Sequence, residues 1–86
     1  MPKTFSDIAF ADYLEWHKKN IANWKKINEL LKSIERDGAM KGIGKPEKLK
    51  YSKGEYSRRI DCANRLVYEV SEDMITILSC KGHYEE

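Results

Sequence analysis

The sequence predicts a single α+β domain over residues 1–86: a two-helix hairpin packed on one face of a small antiparallel β-sheet. Three observations predict it. Apolar residues recur at helical spacing through the first 34 positions. The character changes at Gly42-Ile43-Gly44-Lys45-Pro46, where glycine and proline break both regular patterns. Three short strand-like runs then follow, separated by turn-rich connections too short for anything but antiparallel neighbours.

Residues 2–5 can form a short strand. Ser6 offers an N-cap hydroxyl and Asp7 a negative charge in the first turn of a helix whose stripe is Phe10, Tyr13, Leu14 and His17. Asn20 caps a second helix with apolar positions Ile21, Trp24, Ile27, Leu30, Leu31 and Ile34, and Gly38 stops it. The strands are 56–60, 65–70 and 74–80. Alternation turns Leu66, Tyr68, Val70 and Ile60 toward the helices, with Met74, Thr76, Leu78 and Cys80. It sends Ser57, Arg59, Asp61, Arg65, Val67, Glu69, Lys81 and His83 to the outer face, provided no bulge reverses the parity.

Composition sets bounds on function. Eighty-six residues with 41% hydrophobic and 35% charged side chains support one modest core under a very polar surface. No apolar run approaches the roughly 18 residues that span a bilayer. The start, Met-Pro-Lys-Thr-Phe, lacks a secretory signal, so a cytoplasmic protein without membrane association is expected. Cys62 and Cys80 allow one bridge at most. The net charge of +2 is uneven: residues 41–65 carry eight basic and three acidic side chains, or +5, leaving −3 elsewhere. Such a window suits a phosphate-binding face, but a solvated lysine-rich surface is the blander reading and charge alone does not decide between them.

Neither His17, His83, Cys62 nor Cys80 forms a close-spaced ligand pair, so no metal site and no cofactor are expected. Cys80 falls on a buried strand position and reads as an inert core thiol rather than a nucleophile paired with His83. His17 lies beside aromatics and reads as packing. Glu47 among Lys45, Lys48 and Lys50 is, taken alone, a surface carboxylate in a weak ion pair. Glu47, Arg65 and His83 together offer a base, a charge stabiliser and an acid. Those are the parts needed to move a ribose 2′-hydroxyl onto its neighbouring phosphate without a metal.

Four ordered blocks carry a family resemblance over nearly the whole chain: Lys25-Lys26-Ile27-Asn28-Glu29-Leu30-Leu31-Lys32, then Gly42-Ile43-Gly44-Lys45-Pro46-Glu47, then Ser57-Arg58-Arg59-Ile60-Asp61 with Asn64-Arg65-Leu66-Val67-Tyr68, and finally Lys81-Gly82-His83-Tyr84. Together they resemble the YoeB/Txe family of bacterial toxins, within the RelE-like superfamily. The resemblance implies a ribosome-dependent endoribonuclease that cuts messenger RNA in the ribosomal A site and is neutralised by a cognate YefM/Axe-like antitoxin. It implies that Glu47 is the proton acceptor, His83 the proton donor, Arg65 the phosphate stabiliser and Tyr84 the residue shaping the site, with Lys50 and Arg59 contacting RNA. It also allows a homodimer. Two departures stand out: Glu85 and Glu86 continue past the His-Tyr pair, and Lys48 occupies the place of a second proline. The rival function is a non-catalytic RNA- or ribosome-binding module on the same scaffold. A purely protein-binding partner fits the helical hairpin but leaves Arg65 and His83 unexplained.

Overall fold

The computed structural model describes residues 1–50 and 52–82. The chain runs β1 (Lys3–Phe5), α1 (Asp7–Lys19), α2 (Ile21–Asp37), β2 (Glu47–Lys48), β3 (Glu55–Arg59), β4 (Arg65–Val70) and β5 (Ile75–Ser79). The strands form one sheet in the order β1-β5-β4-β3-β2. Neighbours from β2 to β5 are antiparallel, as expected, and β1 joins the edge parallel to β5, which makes the sheet mixed. No described helix is long and apolar enough to cross a membrane.

Local chemistry sets the helix ends. The Ser6 hydroxyl accepts from the Ala9 N–H at 3.0 Å and donates to the Leu78 carbonyl at 2.8 Å, so the residue that starts α1 also ties it to β5. Asn20 serves both helices. Its N–H donates to the Trp16 carbonyl, closing α1, while its side-chain oxygen accepts from Asn23 N–H, opening α2. Gly38, at φ +99°, ends α2 in a conformation that disfavours side chains with a Cβ.

The core lies between the helices and one sheet face: Ala9 from α1, Ile27, Leu30, Leu31 and Ile34 from α2, and Ile60, Leu66, Tyr68, Ile75, Ile77 and Cys80 from the sheet side. The expected stripe of α1 is rotated. Ala9 is buried with Tyr13 and Trp16 packed beside it, while Phe10 and Leu14 are about half exposed. A polar anchor selects this face: Trp16 Nε1 donates to the Cys80 carbonyl at 2.7 Å, drawing the Ala9–Tyr13–Trp16 side onto the sheet. In α2, Ile27, Leu30, Leu31 and Ile34 bury as expected and Ile21 is exposed.

The inward parity of β5 also differs from expectation. Ile75 and Ile77, not Met74, Thr76 and Leu78, fill the core, yet Cys80 is still buried. The register explains both facts: Tyr68 pairs with Ile77 but Val67 pairs with Ser79, so Leu78 is an extra residue in a bulge that reverses the alternation. Strand β5 ends at Ser79, and Lys81 beyond it does not join Arg59 and Arg65 on the outer face. Its ammonium donates to Glu15 of α1 at 2.9 Å.

Candidate active site at Arg65

Arg65 opens β4 directly opposite Arg59 of β3, and Glu47 of β2 lies opposite Ser57 of β3. Residues facing each other across a pair share a sheet face, so these four line the face away from the helices. The short strand β2 was not anticipated from sequence, and it is what brings Glu47 into the sheet. Arg65 Nε donates to Ser57 Oγ at 3.0 Å, and its Nη2 lies 3.5 Å from the Lys45 carbonyl and 3.6 Å from Glu47 Oε2. The arginine side chain is only 9% exposed and the glutamate side chain 67% exposed.

The loop that delivers Glu47 is built tightly. Gly44, at φ +85°, hands its carbonyl to the Arg59 N–H, and a Cβ there would stand 2.5 Å from Leu30 Cδ2. Only glycine suits both the conformation and the approach to the core. Lys45 follows at φ +50°, an uncommon conformation for a non-glycine residue.

Behind this loop lies Arg58. It lies within the basic window of the sequence, but its side chain faces inward and is fully buried. Nε donates to the Tyr68 hydroxyl at 2.9 Å, Nη1 to Ser33 Oγ and the Ile43 carbonyl at 2.9 Å each, and Nη2 to the Gly38 and Lys41 carbonyls at 2.7 Å each. Tyr68 completes the knot by donating to the Ala39 carbonyl, and burial pushes its hydroxyl pKa up. Arg58 therefore winds the 38–43 loop rather than offering charge to a ligand.

The remaining cations spread over the surface. Arg59, together with Lys26 and Lys45, lines a hollow of about 240 Å³ beside Gly44. Lys26 comes from α2, outside the basic window; only tertiary packing reveals it. Lys50 lines a larger open hollow of about 510 Å³ with Lys48 and Lys53. Ser57 was placed on the outer face by parity, but its grip on Arg65 was not read from the sequence.

His83 and Tyr84 lie outside the described residues. Gly82, just before them, accepts from the Arg65 N–H at 2.9 Å and donates to Asn64 Oδ1 at 2.8 Å. Cys80 is buried, and that burial, with a smaller contribution from Asp12, pushes its thiol up to about 12. It is no nucleophile. His17 packs edge-on against Trp24 at 4.7 Å between ring centres. Among the described residues no group of three or more His, Cys, Asp and Glu side chains could hold a metal ion.

Two helices laid over one face of a five-stranded mixed sheet, with an arginine-centred polar site on the other, define a small domain of the RelE-like toxin architecture. The family model described as YoeB-like toxin of bacterial type II toxin-antitoxin system matches residues 5–84, and the chain belongs to that family. It is 42% identical to the toxin YoeB of Escherichia coli strain K12 over 85 residues, covering 98% of this chain and all of that one. It superposes on the YoeB dimer structure from Staphylococcus aureus with a TM-score of 0.92 at 56% identity, covering 98% of each chain. A heterotetrameric YoeB-YefM toxin-antitoxin complex from the same organism matches at TM-score 0.89, with 56% identity and 98% of each chain covered.

Proposed function

We propose that this chain is a ribosome-dependent endoribonuclease that cuts messenger RNA in the ribosomal A site and so inhibits translation. One observation carries the reading: a largely buried arginine, held by Ser57, is 3.6 Å from an exposed carboxylate on a basic sheet face. In the proposed reaction the Glu47 carboxylate takes the proton of a ribose 2′-hydroxyl, whose oxygen attacks the adjacent phosphorus. The bond to the 5′-oxygen breaks, and His83 protonates that leaving oxygen. Arg65 meets the charge that builds on the phosphoryl oxygens with donors already in place. Tyr84 shapes the site beside His83, and Lys50 and Arg59 hold the RNA backbone. No metal enters the scheme.

The relatives support the partners. The Staphylococcus aureus toxin is found with YefM, so a YefM/Axe-like antitoxin is the proposed partner here. A cationic face suits an acidic segment that orders on binding. A homodimer is proposed on the same footing, and the proposed site of action is the cytoplasm, where translating ribosomes are. Single-turnover incubation with translating ribosomes tests the activity. Cleavage by the wild type, lowered about 10²-fold or more in His83→Ala, is expected. Message that is bound but left uncut would favour the non-catalytic ribosome-binding module.

A further inference from the structure

Beyond Ser79 the chain leaves the sheet. Cys80 and Lys81 are tied to α1 through Trp16 and Glu15. Gly82 turns back to the start of β4, at φ +86°, where Asn64 and Arg65 take both of its peptide groups. The side-chain oxygen of Asn64 accepts the Gly82 N–H at 2.8 Å, and the Arg65 N–H donates to the Gly82 carbonyl at 2.9 Å.

Asn64 is itself held in one orientation. Its Nδ2 donates to the Asp61 carboxylate oxygens at 3.0 and 3.2 Å, and its N–H donates to Asp61 Oδ1 at 2.7 Å. Asp61 Oδ2 in turn accepts from Asn23 Nδ2 at 2.8 Å, on a residue of α2 that is nearly buried. An ionised carboxylate only accepts and a peptide N–H only donates, so the amide of Asn64 has a single arrangement that satisfies both neighbours. A relay thus runs from α2 through the β3–β4 turn to Gly82, and the next residue in sequence is His83.

We propose that Asn64 is a positioning residue: its amide, oriented by Asp61 and Asn23, fixes Gly82, the residue that precedes His83 in sequence, against Arg65. The role rests on the cleavage reading, since it matters only if His83 must meet a phosphate that Arg65 binds. Misplacement by about an ångström is enough to cost up to about 10²-fold in rate.

The test uses the full chain carrying Asn64→Ala, with Asn64→Ser as a second variant that keeps a turn-forming side chain too short to reach Gly82. Amide exchange of Gly82, read by NMR, is expected to quicken about three- to tenfold, the range for one lost neutral hydrogen bond. Single-turnover cleavage is expected to fall between about 10- and 100-fold, while the ribosome concentration giving half-maximal rate stays at the wild-type value. Unchanged Gly82 exchange overturns the proposal. So does wild-type cleavage by a variant whose Gly82 exchanges faster, or a rate lost only in step with ribosome affinity and melting temperature. A wild-type chain that never cleaves refutes the endoribonuclease reading instead, and the exchange measurement alone then decides whether Asn64 fixes Gly82.

Discussion

The ion pair between Glu47 and Arg65 is lopsided: the arginine side chain is 9% exposed and held by Ser57, while the glutamate side chain is 67% exposed and held mainly by its backbone in β2. An exposed carboxylate 3.6 Å from its partner adds little stability. In the proposed reaction that carboxylate would exchange the guanidinium for a substrate proton, and the guanidinium, held by Ser57, would keep its place. A site of this kind places its cation before the substrate arrives, which is what electrostatic catalysis requires.

Arg58 carries a structural load of another sort. Its fully buried guanidinium donates to the buried Tyr68 and Ser33 hydroxyls and to the part-buried carbonyls of Gly38, Lys41 and Ile43, and removing it takes a donor from each. Arg58→Ala is expected to cost about 3 kcal/mol or more in urea unfolding, since each stranded buried group costs about 1–3 kcal/mol. Arg58→Lys should recover little, because an ammonium cannot reproduce the planar fork. A midpoint shift no larger than that of an exposed Arg36→Ala control would contradict this.

The two cysteines should separate cleanly by reactivity. Cys62 is exposed and Cys80 is buried with its thiol pushed up to about 12. Alkylation of the native protein at pH 8 is expected to modify one site, at Cys62, and both only after denaturation. Because the folded value of Cys80 lies above the ordinary 9.0, its contribution to stability is full below that pH and is lost as pH rises toward about 12. Native modification of both sites at equal rates would refute this burial.

Acid acts on a different edge. Lys3 at 2.7 Å and the N-terminal ammonium at 2.6 Å hold the Glu35 carboxyl at about 2, below its ordinary 4.5. A depressed value means that the contribution is present above about pH 4.5 and fades as pH falls toward about 2. Melting temperature followed across that interval should fall less steeply for Glu35→Gln than for the wild type. Equal slopes would show that the contact does not form in solution.

How much of this was legible in the sequence depends on the range of the forces involved. Ser6, Asn20 and Gly38 mark helix ends through bonds to residues three or four positions away, and all three were readable. The parity of β4 was readable because the strand is regular. That of β5 was not, because the bulge at Leu78 is set by register against Val67 and Tyr68, and that pairing is not local. Arg58 looked like surface charge because its acceptors are mostly loop carbonyls, which leave no trace in side-chain patterns. For the candidate site, alternation put Arg59 and Arg65 on one face, but the placement of Glu47 beside Arg65 needed the two-residue strand β2 and a loop wound around Arg58.

Binding to RNA should respond to Arg59 and Lys50 through charge alone. Replacing either by Ala is expected to weaken ribosome association and to lower the log–log salt slope by somewhat under one unit per lost phosphate contact. Affinity and slope both at wild-type values would assign these side chains to solvated surface.

The chemistry of the cut ends tests the central claim most directly. Messenger RNA cleaved on translating ribosomes by the wild-type chain should carry a 2′,3′-cyclic phosphate on one fragment and a free 5′-hydroxyl on the other, with Arg65→Ala and Glu47→Ala each lowering the single-turnover rate about 10²-fold or more. Fragments bearing a 5′-phosphate, or a Glu47→Ala/Arg65→Ala double variant that cuts at the wild-type rate, would contradict it.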